Sequence, residues 1–179
     1  MEPVILRQAD PDDTRWLVEQ HAFLYARDEG FDESFGVLVE RVVTEFFANQ
    51  DPACERGLIA ARGKKRLGSI FCTLGATPKE ARLRLFLVMP DMRRRGLGQR
   101  LLNAHLSFAA EAGFDRVRLW THQTHRAACA LYAKNGFAQT ASKPVTSFGR
   151  ELVAQRWDRP ISRAGISSAA GESRAHDGA

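Results

Sequence analysis

The chain has 179 residues and a mass of 20.0 kDa, and its 44% hydrophobic and 26% charged residues exclude a fibrous or fully disordered protein. Apolar runs fall short of the ~20 residues that a membrane helix needs, and the first residues lack the basic and apolar parts of a signal peptide. Three cysteines, Cys54, Cys72 and Cys129, do not make a disulfide framework in a chain of this size. We therefore expect a cytoplasmic protein with no membrane partner.

Charge is unevenly distributed along the chain, whose net charge is +5. Residues 1–50 carry four basic and eleven acidic side chains, whereas the rest of the chain carries 22 basic and ten acidic ones. This division favours two different ligands, one cationic and one anionic. The alternative is that folding intermixes the charges, because halves of a sequence need not be halves of a structure.

The N-terminal part predicts one strand and two helices. Residues 4–8 form a short apolar run with β-branched side chains, which is typical of a strand. Asp10 as N-cap and Pro11 at the first helical position begin a helix that should end at Gly30. A second helix begins near Asp32 and carries a continuous apolar face.

Further along the chain, predicted strands alternate with two more helices. Turn residues and apolar runs delimit strands at 57–62, 66–73, 82–88, 117–120, 137–141 and 151–157, and helices at 97–112 and 126–134. The order β-αα-βββ-α-β-α-ββ needs both hairpins and strand–helix–strand crossovers, so we predict an α/β fold with a mixed sheet. A single domain should cover residues 1–161, and residues 162–179, rich in Ser, Ala and Gly, should form a disordered tail.

A glycine-rich loop follows a strongly apolar predicted strand. It opens an amphipathic helix and reads Arg93-Arg94-Arg95-Gly96-Leu97-Gly98. Glycines let a ligand approach the backbone, the first helical amides are unpaired, and the helix dipole favours negative charge there. The arginines add forked donors suited to phosphate oxygens. We predict a diphosphate site, which is neither a P-loop nor a dinucleotide fingerprint, because the Gly-Lys-Ser/Thr and the glycine spacing of those motifs are missing.

This loop resembles the signature Arg/Gln-x-x-Gly-x-Gly/Ala of the GNAT superfamily of acetyl-CoA-dependent N-acetyltransferases. The resemblance covers residues 4–158 and includes, in the last predicted helix, Ala128-x-x-Leu131-Tyr132-x-x-x-Gly136-Phe137. A narrower likeness is to the GNAT half of proteins that fuse a MarR-type DNA-binding domain to a GNAT domain. The segments that carry it are His21-x-x-x-Tyr25 and residues 31–35, 83–85, 119–121 and 147–149.

The resemblance implies a mixed, twisted sheet that is splayed into a V and flanked by about four helices, with acetyl-CoA as co-substrate. Leu87 and Val88 would offer backbone groups to the pantetheine arm. Tyr132 would protonate the leaving thiolate, unless it is an ordinary core aromatic. Lys134 would reach a coenzyme phosphate, although an exposed lysine without a partner is the alternative. The residues expected to hold the diphosphate are Arg93, Arg94, Arg95, Gly96, Leu97, Gly98 and Gln99.

The sequence indicates the acceptor-binding residues less clearly than the coenzyme-binding residues. Many GNAT enzymes carry a glutamate on the strand before the loop, but residues 81–88 have none and Glu80 lies at the far end. His21, Tyr25 and Glu29 are spaced i, i+4, i+8 and so share one face of the first predicted helix, which lines the acceptor cleft in this superfamily. Glu29 would bind a cationic amine and His21 would relay its proton. The alternative is a solvated polar stripe.

Two histidines, His122 and His125, lie where the superfamily often has asparagine. This departure puts the orientation of the coenzyme in question. With Cys129 the two histidines share one helical face, but a fourth ligand is missing, so we expect no metal.

The sequence thus predicts an N-acetyltransferase that moves an acetyl group from acetyl-CoA directly to a primary amine of a small molecule or amino acid. The alternative is a regulatory acetyl-CoA-binding module that partners a transcription regulator. Direct nucleic-acid binding ranks last, since the coenzyme phosphates account for the arginines. The identity of the acceptor and the formation of a homodimer are left open.

Overall fold

A seven-stranded mixed sheet with helices on both faces organises the chain, as the order of predicted elements requires. The computed structural model describes residues 2–162, so the predicted tail, apart from Ser162, lies outside the described residues. The strands are β1 (Ile5–Gln8), β2 (Arg56–Arg62), β3 (Lys65–Leu74), β4 (Glu80–Val88), β5 (Arg116–His122), β6 (Ala138–Ser147) and β7 (Arg150–Pro160). The helices are α1 (Thr14–Glu29), α2 (Ser34–Asn49), α3 (Leu97–Glu111) and α4 (Arg126–Lys134).

The sheet order is β1-β2-β3-β4-β5-β7-β6, and every neighbouring pair is antiparallel except β4 with β5. That parallel pair is made through α3, a strand–helix–strand crossover. The predicted α/β fold with a mixed sheet is therefore confirmed. Within residues 2–162, no helix combines the length and the apolarity that crossing a bilayer requires.

The two central strands diverge soon after they meet. β4 pairs with β5 only at Glu80, Ala81 and Arg82, which lie opposite the first three residues of β5. Further along, β4 is distorted: its register with β3 shifts, and Leu85 has a φ of +49°, which is unusual for a residue with a side chain. The Ser69 hydroxyl of β3 donates to the Leu85 carbonyl at 2.7 Å and holds this bulge. The result is an open gap between β4 and β5.

Two apolar clusters lie on opposite faces of the sheet. Along β4, Ala81 and Leu83 face α3, whereas the bulge turns Leu85 to the other face, where it packs against the residues under α1 and α2. The largest buried side chains on the α3 face are Leu67, Ile70, Leu101, Leu102, Phe114 and Leu119, and those on the other face are Leu17, Val43, Ile59 and Phe71. The helices thus cover both faces, as expected for an α/β domain.

The start of α1 is held by a buried carboxylate. Asp10 caps a short 3₁₀ turn, Pro11–Asp13, and its own amide donates to Asp13 Oδ2 at 2.9 Å. Asp13 is fully buried and accepts hydrogen bonds from Arg7 at 2.7 Å and from Arg66 at 2.6 Å. Burial alone would raise the pKa of Asp13, but these hydrogen bonds lower it to about 2. The carboxylate therefore joins β1, β3 and α1.

We expect Asp13→Asn to lower the free energy of unfolding by about 2–4 kcal/mol, because two arginines would lose their shared charged partner. Chemical denaturation at pH 7 measures the difference. The matched control is Asp12→Asn, since the Asp12 side chain is exposed on the same turn. Equal losses in the two variants would contradict the role assigned to Asp13.

Candidate active site

The glycine-rich loop presents the N-terminus of α3, as predicted. Gly96 is the N-cap with a φ of +79°, and an added Cβ would meet nothing within 4 Å. It is therefore the backbone conformation, not lack of space, that favours glycine here. The first backbone hydrogen bond of the helix runs from Arg100 N–H to the Gly96 carbonyl at 3.0 Å. The amides of Leu97, Gly98 and Gln99 precede that bond, so they are free to bind an anion.

The three loop arginines have different surroundings. The Arg93 guanidinium donates to Asp28 of α1 at 3.1 Å and to the Val88 carbonyl at 3.3 Å. Arg94 and Arg95 are exposed, and neither forms an ion pair within the described part of the chain. The sequence indicated all three for phosphate binding, but nothing in it pointed to Asp28 as a partner of Arg93.

The end of β4 directs one backbone amide into the gap. Met89 N–H donates to the Leu67 carbonyl of β3 at 2.9 Å. Because backbone groups alternate in direction along a strand, the Val88 N–H faces the opposite edge, where β5 has already diverged. Leu87 faces β3, opposite Ser69. Val88 is thus the better placed of the two predicted residues to donate to a ligand in the gap.

Tyr132 of α4 is buried beside this gap. It is 4% exposed and packs against the rings of Phe86, Phe137 and Trp157. Burial raises the pKa of its hydroxyl above the ordinary value, and the nearby Tyr25 adds to the effect. Tyr132 is therefore a neutral phenol that retains its proton to donate.

A reciprocal amide pair joins α4 to the glycine-rich loop. Gln99 Nε2 donates to Asn135 Oδ1 at 2.6 Å, and Asn135 Nδ2 donates to Gln99 Oε1 at 3.0 Å. An added Cβ on Gly98 would lie 3.5 Å from Leu131, which is ordinary contact. The Gln99 side chain therefore holds α4 in place, and only its backbone is left for a phosphate. Lys134, on the same helix, is exposed.

A cavity of about 160 Å³ lies in the gap between β4 and β5, beneath α1 and α2. Two of the three predicted acceptor residues, His21 and Tyr25, line it. Aromatic rings supply much of the remaining wall. The other residues that line the cavity are Phe31, Phe35, Leu38, Val39, Val42, Arg82, Leu83, Arg84, Leu85, Trp120, Thr121, His122 and His125.

His21 is buried rather than part of a solvated stripe. It is 2% exposed, and its Nδ1 lies 2.7 Å from the Leu17 carbonyl. A carbonyl only accepts, so Nδ1 carries the proton and Nε2 bears the lone pair. Nε2 has no hydrogen-bond partner among the described residues. Burial lowers the pKa of His21 to about 4, so the ring is neutral at pH 7.

Glu29, the third predicted acceptor residue, lies next to the cavity. Its Oε1 is 3.5 Å from Nε2 of His125, and the ring of His125 meets Tyr25 edge-on at 5.1 Å. Tyr25 has its pKa raised to about 12, mainly by burial and then by the charge of Glu29. The structure thus brings Tyr25 and Glu29 together around His125, and His21 lines the same cavity beside Tyr25.

The sequence missed much of this cavity. It left open whether His122 and His125 alter the orientation of the coenzyme and did not place them at the acceptor, yet both line the cavity, with ring centroids 5.5 Å apart. Phe31 and Phe148, from distant segments, stack against each other at 4.9 Å beside them. In residues 2–162 no group of three or more His, Cys, Asp or Glu side chains is arranged to hold a metal ion.

Glu80 has a structural role that differs from that of a strand glutamate in the cleft. It is 3% exposed, and its Oε2 forms ion pairs with Arg118 at 2.9 Å and with Arg116 at 3.5 Å. These ion pairs join β4 to β5 where the two strands still pair. Glu80 therefore lies away from the gap.

The model of the acetyltransferase (GNAT) family matches residues 11–137. The chain belongs to this family. Over 106 residues, 59% of its length, this GNAT protein is 35% identical to the mycothiol acetyltransferase of Clavibacter sepedonicus. The match spans only a third, 33%, of that relative.

Solved structures agree with the GNAT fold. YncA of Salmonella typhimurium, determined with its cofactor acetyl-CoA, has a TM-score of 0.73 at 18% identity over 93% of this chain and 99% of its own. Spermidine N-acetyltransferase of Vibrio cholerae, in complex with CoA and spermine, has a TM-score of 0.68 at 18% identity over 89% of this chain and 96% of its own. The narrower likeness to MarR fusions stays a prediction.

We expect Gly96→Ala to abolish most of the thermal protection that acetyl-CoA gives, because Ala disfavours the backbone that presents the α3 amides. The matched control is Gly113→Ala: Gly113 has a φ of +82° and equally open surroundings. It lies roughly 20 Å away, at the other end of α3. Both variants should lose similar stability without ligand, by about 1 kcal/mol. Equal protection by acetyl-CoA in the two variants would remove the phosphate site from this loop.

Proposed function

We propose that this GNAT protein transfers an acetyl group from acetyl-CoA to the primary amine of a small molecule or amino acid, without a covalent enzyme intermediate. One observation carries the proposal. Where β4 diverges from β5, the unpaired backbone amides at the start of α3 follow the strand, and the proposed acceptor cavity lies beside it. Family membership supports acetyl transfer. The similar fold of the Vibrio cholerae spermidine N-acetyltransferase, an enzyme for a small amine, supports a small amine as the acceptor.

The residues of the gap fit the coenzyme. The amides of Leu97, Gly98 and Gln99, with the exposed Arg94 and Arg95, suit a diphosphate. Arg93 supports the loop through Asp28, and Lys134 is exposed for a more distant phosphate. The unpaired edge of β4 at Val88 suits an extended pantetheine arm, which would lie along it as an added strand does.

The chemistry follows from the groups around the gap. Acetyl-CoA supplies a thioester, whose C–S bond breaks as the amine nitrogen bonds to the acetyl carbon. Val88 N–H stabilises the negative charge that develops on the carbonyl oxygen. Tyr132 gives its proton to the sulfur that leaves, because its raised pKa keeps the hydroxyl protonated until then.

The amine must lose a proton before it can attack. Glu29 attracts the ammonium form, and the free Nε2 lone pair of His21 faces a cavity lined by few other acceptors. With a pKa of about 4, His21 releases a proton as soon as it takes one up. His21 thus relays the proton to water instead of storing it.

The experiment that tests the proposal is release of the coenzyme A thiol from acetyl-CoA with a panel of amino acids, polyamines, aminoglycosides and a lysine peptide. Release that depends on an acceptor supports the enzyme. Tight coenzyme binding without release on any acceptor would favour the regulatory acetyl-CoA-binding module. Absence of coenzyme binding would overturn both functions.

We expect Tyr132→Phe to lower kcat roughly 100-fold while the dissociation constant of acetyl-CoA stays near that of the unchanged protein, because only the proton donor is lost. Steady-state kinetics and coenzyme titration measure the two effects. Tyr25→Phe is the matched comparison, since Tyr25 and Tyr132 are the two tyrosines of the chain. Its effect should fall on the KM of the acceptor. Full activity of Tyr132→Phe would return that side chain to a packing role.

A further inference from the structure

Two arginines of β4 face the acceptor cavity. Arg82 and Arg84 are two residues apart, so their side chains leave the strand on the same side. That side is the one covered by α1 and α2, because Ala81 and Leu83 pack against the α3 cluster on the other face. Both arginines line the cavity. Two cationic residues therefore border the space where the acceptor would lie.

Neither arginine has a carboxylate partner within residues 2–162 at ion-pair distance. Other half-buried arginines differ in this respect: Arg66 pairs with Asp13 at 2.6 Å and Arg118 with Asp158 at 2.6 Å, whereas Arg56 and Arg62 form no ion pair with a described residue. The side chains of Arg82 and Arg84 also donate no hydrogen bond to a described residue. Their donors are thus available to a ligand.

The surroundings compensate the charges of Arg82 and Arg84 only in part. Burial, and then the charge of Arg82, lower the pKa of Arg84 to about 10. Arg41 of α2 acts in the same sense, and Glu45 of α2 opposes it from beyond 4 Å. Holding two cations together in a half-buried place is unfavourable, and an anion bound between them would offset that free energy.

The rest of the cavity indicates what kind of molecule carries that anion. Phe31, Phe35 and Trp120 provide apolar walls, and the Lys143 ammonium lies 5.6 Å from the Trp120 ring centre. Glu29 supplies a negative group beside the cavity, where it contacts His125. A volume of about 160 Å³ is below the ~300–1,000 Å³ of pockets for drug-sized ligands. The cavity therefore suits a small molecule that carries both a positive and a negative charge.

We propose that Arg82 and Arg84 form an anion subsite, so that the acceptor is a small amine that also bears a carboxylate or a phosphate. This inference rests on the proposed acetyl transfer and narrows its acceptor. The forked donors of two arginines match the oxygens of either anion. Polyamines, which carry no anion, are then poor acceptors.

Matched acceptors test the subsite. Each amino acid is compared with its carboxamide and with the amine that lacks the carboxyl group, and O-phosphoethanolamine with ethanolamine. We expect the anionic member to have a kcat/KM about 10- to 100-fold higher, since hydrogen bonds to charged groups are strong. The amino acid arm and the phosphoethanolamine arm distinguish a carboxylate from a phosphate. Neutral amines used as well as their anionic partners would overturn the subsite and leave the acetyltransferase intact.

Substitutions of Arg82 and Arg84 test whether these residues cause the preference for anionic acceptors. Arg84→Gln and Arg82→Gln should raise the KM of the anionic acceptor about 10-fold or more and leave neutral amines and acetyl-CoA unaffected. Arg84→Lys should restore part of the preference, because the charge remains without the fork. Arg15→Gln is the control, since that side chain is 87% exposed on α1. Equal loss with anionic and neutral acceptors would overturn the assignment.

A binding measurement separates failure of the subsite from failure of the proposed function. Thermal protection by the amino acids and by their carboxamides is compared in the unchanged protein and in Arg84→Gln, without acetyl-CoA. Protection by the anionic form alone, lost in the variant, would support the subsite even if no thiol is released. Equal protection by both forms would overturn it, whatever the activity.

Discussion

The divergence of β4 from β5 is the constraint on which the site depends. Ion pairs of Glu80 with Arg116 and Arg118 hold the two strands together at one end, and the Leu85 bulge, fixed by Ser69, bends β4 away at the other. A sheet that stayed paired throughout would have neither an unpaired amide at Val88 nor a cavity. The opening is therefore built by two opposed local interactions on one strand, and both substrates depend on it.

Part of this site could be predicted from short segments of the sequence, and part could not. The α3 N-terminus could be predicted because Gly96 and its neighbours act through local backbone geometry. The cavity could not, because His125, Phe148 and Arg82 come from separate segments that only the sheet order brings together. His21 shows the same limit: its spacing places it on the correct helical face, but only packing shows that the ring is buried and neutral.

The distribution of charge along the sequence indicated the ligands less well than the positions of the charges in the folded chain. The acidic first third and the basic remainder indicated two separate ligands, yet the fold intermixes part of those charges: Arg66 reaches Asp13, and Arg93 reaches Asp28. The charged side chains that stay unpaired are more informative than the net charge of each part of the chain. Among the cations that form no ion pair within residues 2–162 are Arg94 and Arg95 on the loop, and Arg82 and Arg84 at the cavity. A sequence motif predicted Arg94 and Arg95. Arg82 and Arg84 were identified only from the structure, where neither has a carboxylate partner within residues 2–162.

The buried ring of His21 also ties the fold to acidity. Its pKa falls from an ordinary 6.5 to about 4 in the folded chain, so between these values the unfolded chain binds a proton that the folded chain does not. Stability therefore declines as the pH falls through that interval, by roughly 3 kcal/mol from this one group once the pH is below 4. The same desolvation that leaves Nε2 with a lone pair thus makes the fold less stable in mildly acidic solution, and it does so on α1, the helix that carries the proposed acceptor residues.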